Sequence, residues 1–363
     1  MQIGMAFELE VRGRSADVER EMFEHVIEQS VLADQIGYHS VWFVEHHFTR
    51  GFSHSSAPET MLAALSRITK RIRLGHGVVL LPFEHPVRVA ERVATLDVVS
   101  GGRVEFGTGR GASPTEYQAF RRPFEQSREI WEEHLDAILA IWEADTAPIT
   151  LEGRYFSVPD VSVLPRPIQR PYPPVWVAST SMDGFRAAAR RGLNLLCMPI
   201  LKGIDALAED LAEYRRILEE HGHDPATRRV GMMIPWHVAS SRDEAFQASD
   251  AVIWYIRRQV NLVTPPDYKD AGHAEYRLLG QLAVGKPPEE ALQDLVDNTM
   301  VVIGDVEESR KHLQRVADAG VTDLLCQFQV GGLEHERVVS SMRLFAGEVC
   351  GPEMGLAAAD GPR

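Results

Sequence analysis

The chain has 363 residues, of which 44% are hydrophobic and 25% charged, and its formal net charge is −14. That balance supports a large core and excludes a disordered chain, and the negative charge excludes nucleic acid or an anionic membrane as the main partner. No apolar run approaches a membrane span, and residues 1–7 lack the basic start and long apolar stretch of a signal peptide. The three cysteines, Cys197, Cys326 and Cys350, show no CxxC spacing and cannot all pair; Cys197 and Cys326 sit inside apolar runs and read as small buried hydrophobes in a reducing cytoplasm.

In chain order, residues 2–7 read as a first strand and 17–36 as a helix, with Phe23, Ile27 and Val31 at four-residue spacing. Gly37 ends that helix, and 39–44 is a second strand. Pro58 opens a helix whose stripe is Met61, Leu62, Leu65 and Ile68. A third strand, 72–81, is interrupted by Gly75-His76-Gly77; glycines inside a buried strand mark a bulge, a close-lying planar ligand or packing against a helix. A helix 86–99, a fourth strand 103–107 and a helix 125–142 follow. The proline-rich segment 148–174 reads as a hairpin insertion before the fifth strand, 175–178. A helix 183–191, a sixth strand 193–198, a helix with Leu207, Leu211 and Leu218, and a seventh strand 230–239 come next. The weakly periodic span 261–302 reads as a mobile lid or a passive insertion. A helix 305–319, an eighth strand 322–328 and a helix 334–349 close the domain, and 351–363 is a tail.

Helices ending in Gly37, Gly192 and Gly320 are each followed within a few residues by an apolar strand. About eight such units predict one (β/α)8 TIM barrel over 1–350, with insertions. An open doubly wound sheet needs a glycine-rich loop after the first strand, where Glu8-Leu9-Glu10-Val11 stands instead.

The chemistry should sit where barrel strands end. Val41-Trp42-Phe43-Val44-Glu45-His46-His47-Phe48 is a buried strand that ends in an acid and two imidazoles. Regular alternation would aim only one histidine at a substrate. Phe106-Gly107-Thr108-Gly109-Arg110-Gly111 joins glycines that admit a ligand to an arginine suited to phosphate, although such a loop also serves as a plain turn. Ser179, Thr180 and Ser181 precede a helix; hydroxyls there are first of all caps, and the same helix end suits an anion. Phe7, Trp42, Met198, Trp236 and Phe328 are strand-end candidates for an apolar wall, or plain core. Strand ends poor in His and Asp argue against a metal site, and no G-x-S-x-G supports a serine nucleophile.

Together these pieces resemble the bacterial luciferase-like flavin monooxygenases over nearly the whole chain. The marks are 41–48, Leu81-Pro82 with His85-Pro86-Val87-Arg88, Gly102-Arg103 with Phe106-Gly107, Arg110-Gly111, Glu116, and Val177-Ala178 with the hydroxyls after it. The resemblance implies a barrel that binds reduced FMN at its mouth and reacts with O2 through a hydroperoxyflavin. It implies a catalytic His46 flanked by Glu45 and His47, and phosphate binding by Arg110 and the 179–181 loop. It also implies Gly77-Val78 as a cis peptide behind the flavin, with Gly109 and Glu116 near it. A neutral imidazole at His46 would take or return a proton. Gly109 and Pro199 stand where the luciferase alpha chain has a cysteine and a tryptophan, so light emission and long-chain aldehyde are not implied. An NAD(P)H:flavin reductase as partner fits the lack of an NAD fingerprint, and the family pairs as a homodimer through helices near 58–69 and 86–99. The alternatives on this fold are a deazaflavin-dependent hydride transferase and a non-catalytic luciferase-like subunit.

Overall fold

A computed structural model describes residues 1–13, 15–49, 51–263 and 288–351. The strands are β1 (Gln2–Phe7), β2 (Ser40–Phe43), β3 (Arg73–His76), β4 (Val79–Leu80), β5 (Val104–Gly109), β6 (Ile149–Glu152), β7 (Ser157–Val161), β8 (Val175–Ala178), β9 (Asn194–Cys197), β10 (Val230–Val238), β11 (Val302–Gly304) and β12 (Asp323–Gln327). Parallel pairing runs β1, β2, β3, β5, β8, β9, β10, β12 and back to β1, a closed eight-stranded barrel. β4 resumes the third strand after the cis peptide Gly77–Val78. β6 and β7 form the expected antiparallel hairpin, and β11 adds to β10 outside the ring.

Helices cover the barrel and their glycine stops behave as the pattern requires. Gly37, Gly192 and Gly320 have φ of 99°, 61° and 88°, a conformation open to glycine at little cost. The apolar stripes of the helices meet the outward-facing strand residues. In β1 these are Ile3, Met5 and Phe7, while Gly4, Ala6 and then Glu8 turn inward. Parity corrects three expectations: Phe7 packs on Phe43, Trp236 on Phe345 and Phe328 on Tyr38 and Phe345, all between barrel and helices.

The barrel interior is layered. At the N-terminal end Glu105 and Asp323 both pair with Arg229, and Glu105 also pairs with Arg73. Trp176 Nε1 donates to Glu105 Oε2 at 2.7 Å. Above this, Trp42 and Trp176 meet edge to face at 5.4 Å. Gly75 makes room for them: a Cβ there would come within 2.1 Å of the Trp42 ring. At Gly75 the planar group is therefore the protein's own indole.

At its two ends the 261–302 span is regular and packed, not a mobile lid. Helix Ser249–Val263 and helix Pro288–Asp297 are regular, and Leu292, Leu295, Val296, Met300 and Val301 join a core cluster with Ala245, Val252 and Ile256. Residues 264–287 of that span, and 352–363 of the tail, lie outside the described residues. No described helix is long and apolar enough to cross a membrane.

Candidate active site

The strands deliver their C-terminal ends to a cavity of about 240 Å³ at the barrel mouth. β2 leaves its ladder after Phe43. His46 N then donates to Ser55 O at 2.9 Å, and Ser55 Oγ donates to Val44 O at 2.6 Å. With the ladder gone, strict alternation ends, so Glu45 and His46 both line the cavity. His47 does not. Its ring stacks edge-on to Phe120 at 4.9 Å, and its Nε2 lies 3.1 Å from Glu45 Oε1.

His46 sits between two buried carboxylates. Its Nδ1 is 3.4 Å from Glu116 Oε1 and its Nε2 is 3.7 Å from Glu8 Oε2. Burial alone would lower its pKa, but the Glu116 hydrogen bond and the charges of Glu8, Glu116 and Glu45 outweigh it and raise the value to about 9. His46 is thus an imidazolium at neutral pH, which replaces the neutral ring expected from its ordinary range. Burial raises Glu8 and Glu45 in turn, against the opposing pull of their histidines.

Glu116 is fully buried on the short helix Pro114–Ala119, an element that the spacing of apolar residues does not announce. Its Oε1 also accepts the His47 backbone N–H at 2.9 Å. It does not line the cavity, so its place is behind His46 rather than beside a cofactor.

The opposite side of the cavity is basic. Thr108 is in register with Val177, so Arg110 and Ser179 leave adjacent strands at matching heights. Arg110 Nη1 donates to Ser127 Oγ at 3.3 Å. Burial and the like charge of Arg128 pull its pKa down. Arg110 and Arg128 both line the cavity, and neither has an ion-pair partner among the described residues. Ser181 caps helix Met182–Arg190 by accepting from Gly184 N at 3.4 Å, while Ser179 Oγ accepts from Ser181 N at 3.1 Å. Ser179, Thr180 and Ser181 all border the cavity. Gly77, Val78 and Gly109 form its floor toward the third strand; a Cβ on Gly109 would come within 2.8 Å of Val78 Cγ2.

Trp42 and Met198 line the cavity as expected; Glu8, Arg128 and Gln259 line it without having been singled out by sequence. Glu8 carries a readable signal, since it follows the first strand at the inward parity of Ala6. Arg128 and Gln259 lie on helices and carry none. Cys197 also borders the cavity, but burial pushes its thiol up to about 12, so it is inert. The described residues hold no group of three or more His, Cys, Asp or Glu placed to take a metal ion.

The site and fold can be set beside known proteins. A family profile described as luciferase-like monooxygenase matches residues 1–323. 4-Hydroxyprotoasukamycin monooxygenase of Streptomyces nodosus subsp. asukaensis is 30% identical over 331 residues, 88% of this chain and 84% of that protein. The oxygenase component of flavin-dependent trigonelline monooxygenase from Acinetobacter baylyi is 28% identical over 234 residues, 64% of each chain. A further curated relative, 34% identical, is matched over 51% of its length. The crystal structure of monooxygenase RslO1 from Streptomyces bottropensis superposes with a TM-score of 0.79 at 27% identity, covering 96% of this chain and 98% of that one.

Proposed function

The chain belongs to the luciferase-like monooxygenase family, and from that premise we propose that it is the oxygenase of a two-component system using reduced FMN and O2 to oxygenate a small or medium organic substrate. The observation that carries this reading is the cavity's polarity: a paired-arginine, hydroxyl-rich side faces a histidine held between two carboxylates, with glycine backbone between them.

The residues present fit FMN. Arg110, Arg128 and the hydroxyls of Ser179, Thr180 and Ser181 would hold its phosphate at a helix N-terminus. Gly77 and Gly109, on either side of the Val78 side chain, offer a low apolar floor on which a planar ring can lie. Bound there in reduced form, FMN supplies the electrons with which one atom of O2 enters the substrate and the other leaves as water. His46 holds a proton at the cavity edge and can give it to the departing oxygen. Glu116 and Glu8 keep that proton in place, and Glu45 fixes His47 away from the reaction. Trp42, Val78, Leu80, Leu196 and Leu325 form an apolar wall that excludes water.

A separate NAD(P)H:flavin reductase delivers the reduced flavin in this reading. Two copies pair through helices Pro58–Ile68 and Pro86–Ser100, where Ile68 is 52% and Val98 43% exposed; a purely monomeric sedimentation profile would count against that pairing. The test of the cofactor assignment is anaerobic titration with reduced FMN and with a deazaflavin. Reduced FMN should bind more tightly, Arg110→Ala should weaken it about 10- to 100-fold, and O2 should reoxidise bound flavin more slowly than free flavin. Preference for the deazaflavin, or FMN affinity indifferent to Arg110, overturns the reading.

A further inference from the structure

Glu8 has a role that oxygen chemistry alone does not account for. Its side chain is turned into the cavity at the end of β1 and is 1% exposed. Its Oε1 accepts from Gln259 Nε2 at 2.7 Å. That same amide nitrogen lies 2.8 Å from the Tyr255 hydroxyl, which donates to Gln327 Oε1 at 2.9 Å. This buried chain fixes the carboxyl in place. The other oxygen, Oε2, is buried and has no hydrogen-bond partner among the described residues. It faces His46 Nε2 across 3.7 Å, too far for a hydrogen bond. A buried acceptor left this way costs free energy until a donor reaches it.

We propose that the gap between Glu8 and His46 is the substrate-recognition subsite, and that it takes a neutral hydroxyl, a phenol or an alcohol, on an otherwise apolar molecule. An oxygen cannot sit on the 3.7 Å line between the two atoms; seated beside it on the cavity side, about 2.8 Å from each, it meets Oε2 after a small turn of the carboxyl, which is buried as it stands. It donates its O–H to Glu8 Oε2 and accepts the N–H of His46 Nε2, so both polar atoms are satisfied at once. An ammonium group can serve Glu8 but offers His46 no acceptor. A carboxylate can accept from His46 but meets Glu8, with Glu45 on the same side of the cavity. The adjoining wall of Ala6, Trp42, Leu196, Met233 and Leu325 is apolar, which sets the character of the rest of the molecule. The inference rests on the oxygenase reading for the chemistry after binding, whereas binding itself is measured without turnover.

The experiment uses the full chain, with and without oxidised FMN, and three probes of one shape: 4-ethylphenol, 4-ethyltoluene and 4-ethylbenzoate. Calorimetry should show the phenol binding at least about tenfold more tightly than the toluene, and the benzoate binding most weakly. Glu8→Leu should cost the phenol about tenfold and leave the toluene within about twofold. Glu8→Gln keeps shape and an acceptor, so it should retain part of the preference, and it guards against a variant that fails to fold. Equal affinities for phenol and toluene, a preference that survives Glu8→Leu, or no saturable phenol binding overturns the proposal. FMN affinity is read by fluorescence in the same samples. Lost FMN binding with the phenol preference intact breaks the oxygenase reading alone; normal FMN binding with equal probe affinities breaks the subsite alone.

Discussion

At the N-terminal end of the barrel, Glu105 has partners on both oxygens: Arg73 and Arg229 on one, Trp176 on the other. At the mouth, Glu8 and Glu116 each keep one oxygen with no partner among the described residues, and Arg110 and Arg128 have no ion-pair partner among them, Glu132 acting on Arg110 only from a distance. The two ends use the same residue types and leave them in opposite states. A saturated network holds the strands in register and has nothing left to offer a ligand. An unsaturated one is stable only because the fold around it is, and its spare donors and acceptors are where a ligand can bind.

Substitutions at the two ends should therefore fail in opposite ways. His46→Asn should lower turnover by about 10²- to 10⁴-fold, the usual loss for a general acid, with its melting temperature close to that of the native chain when both are compared above about pH 9, where the imidazolium no longer adds stability. Turnover retained in full would break the functional side of the comparison. Arg229→Met should cost about 3–5 kcal/mol of stability: Arg73 and Trp176 still hold Glu105, but buried Asp323 loses its cation and keeps the Thr322 hydroxyl. Denaturant unfolding measures it, and FMN affinity should stay within about twofold because Arg229 lies at the far end of the barrel. A variant as stable as the native chain, or one that loses FMN affinity while folded, would erase the distinction.

How much of the molecule is legible in its sequence depends on the same contrast. Glycine-capped helices before apolar strands are local features, and they carry the barrel and nearly every strand. Arg110, His46 and the 179–181 loop are also legible as positions at the mouth, because strand ends converge in any closed parallel barrel. Side-chain parity is not local. Phe7, Trp236 and Phe328 have the right size for a pocket wall but face the helices, out of phase with Ala6, Met233 and Leu325. Glu116 is legible as a residue and not as a neighbour of His46. The contact spans 70 positions and runs through a one-and-a-half-turn helix too short to show a period. Glu8 is legible in direction, by its parity with Ala6, but not in role: an acid after a strand looks like a loop residue until its burial is known.

The smallest effect is also the sharpest measure of the mouth. His46 is raised from 6.5 to about 9 in the folded chain. A folded pKa above the unfolded one means that the protonated ring is stabilised by folding. That contribution is complete below about 6.5 and is lost as pH rises through about 9. Turnover that depends on the imidazolium should fall over the same upper range. In Glu116→Gln the largest favourable contribution is weakened while shape is kept, so the falling limb should move to lower pH and stability should vary less between 6.5 and 9. Arg229→Met, at the saturated end, should leave the limb where it is. If Glu116→Gln leaves the limb unmoved, the proton is not held by this carboxylate. If Arg229→Met moves it, the two ends are coupled through the barrel and the separation drawn between them fails.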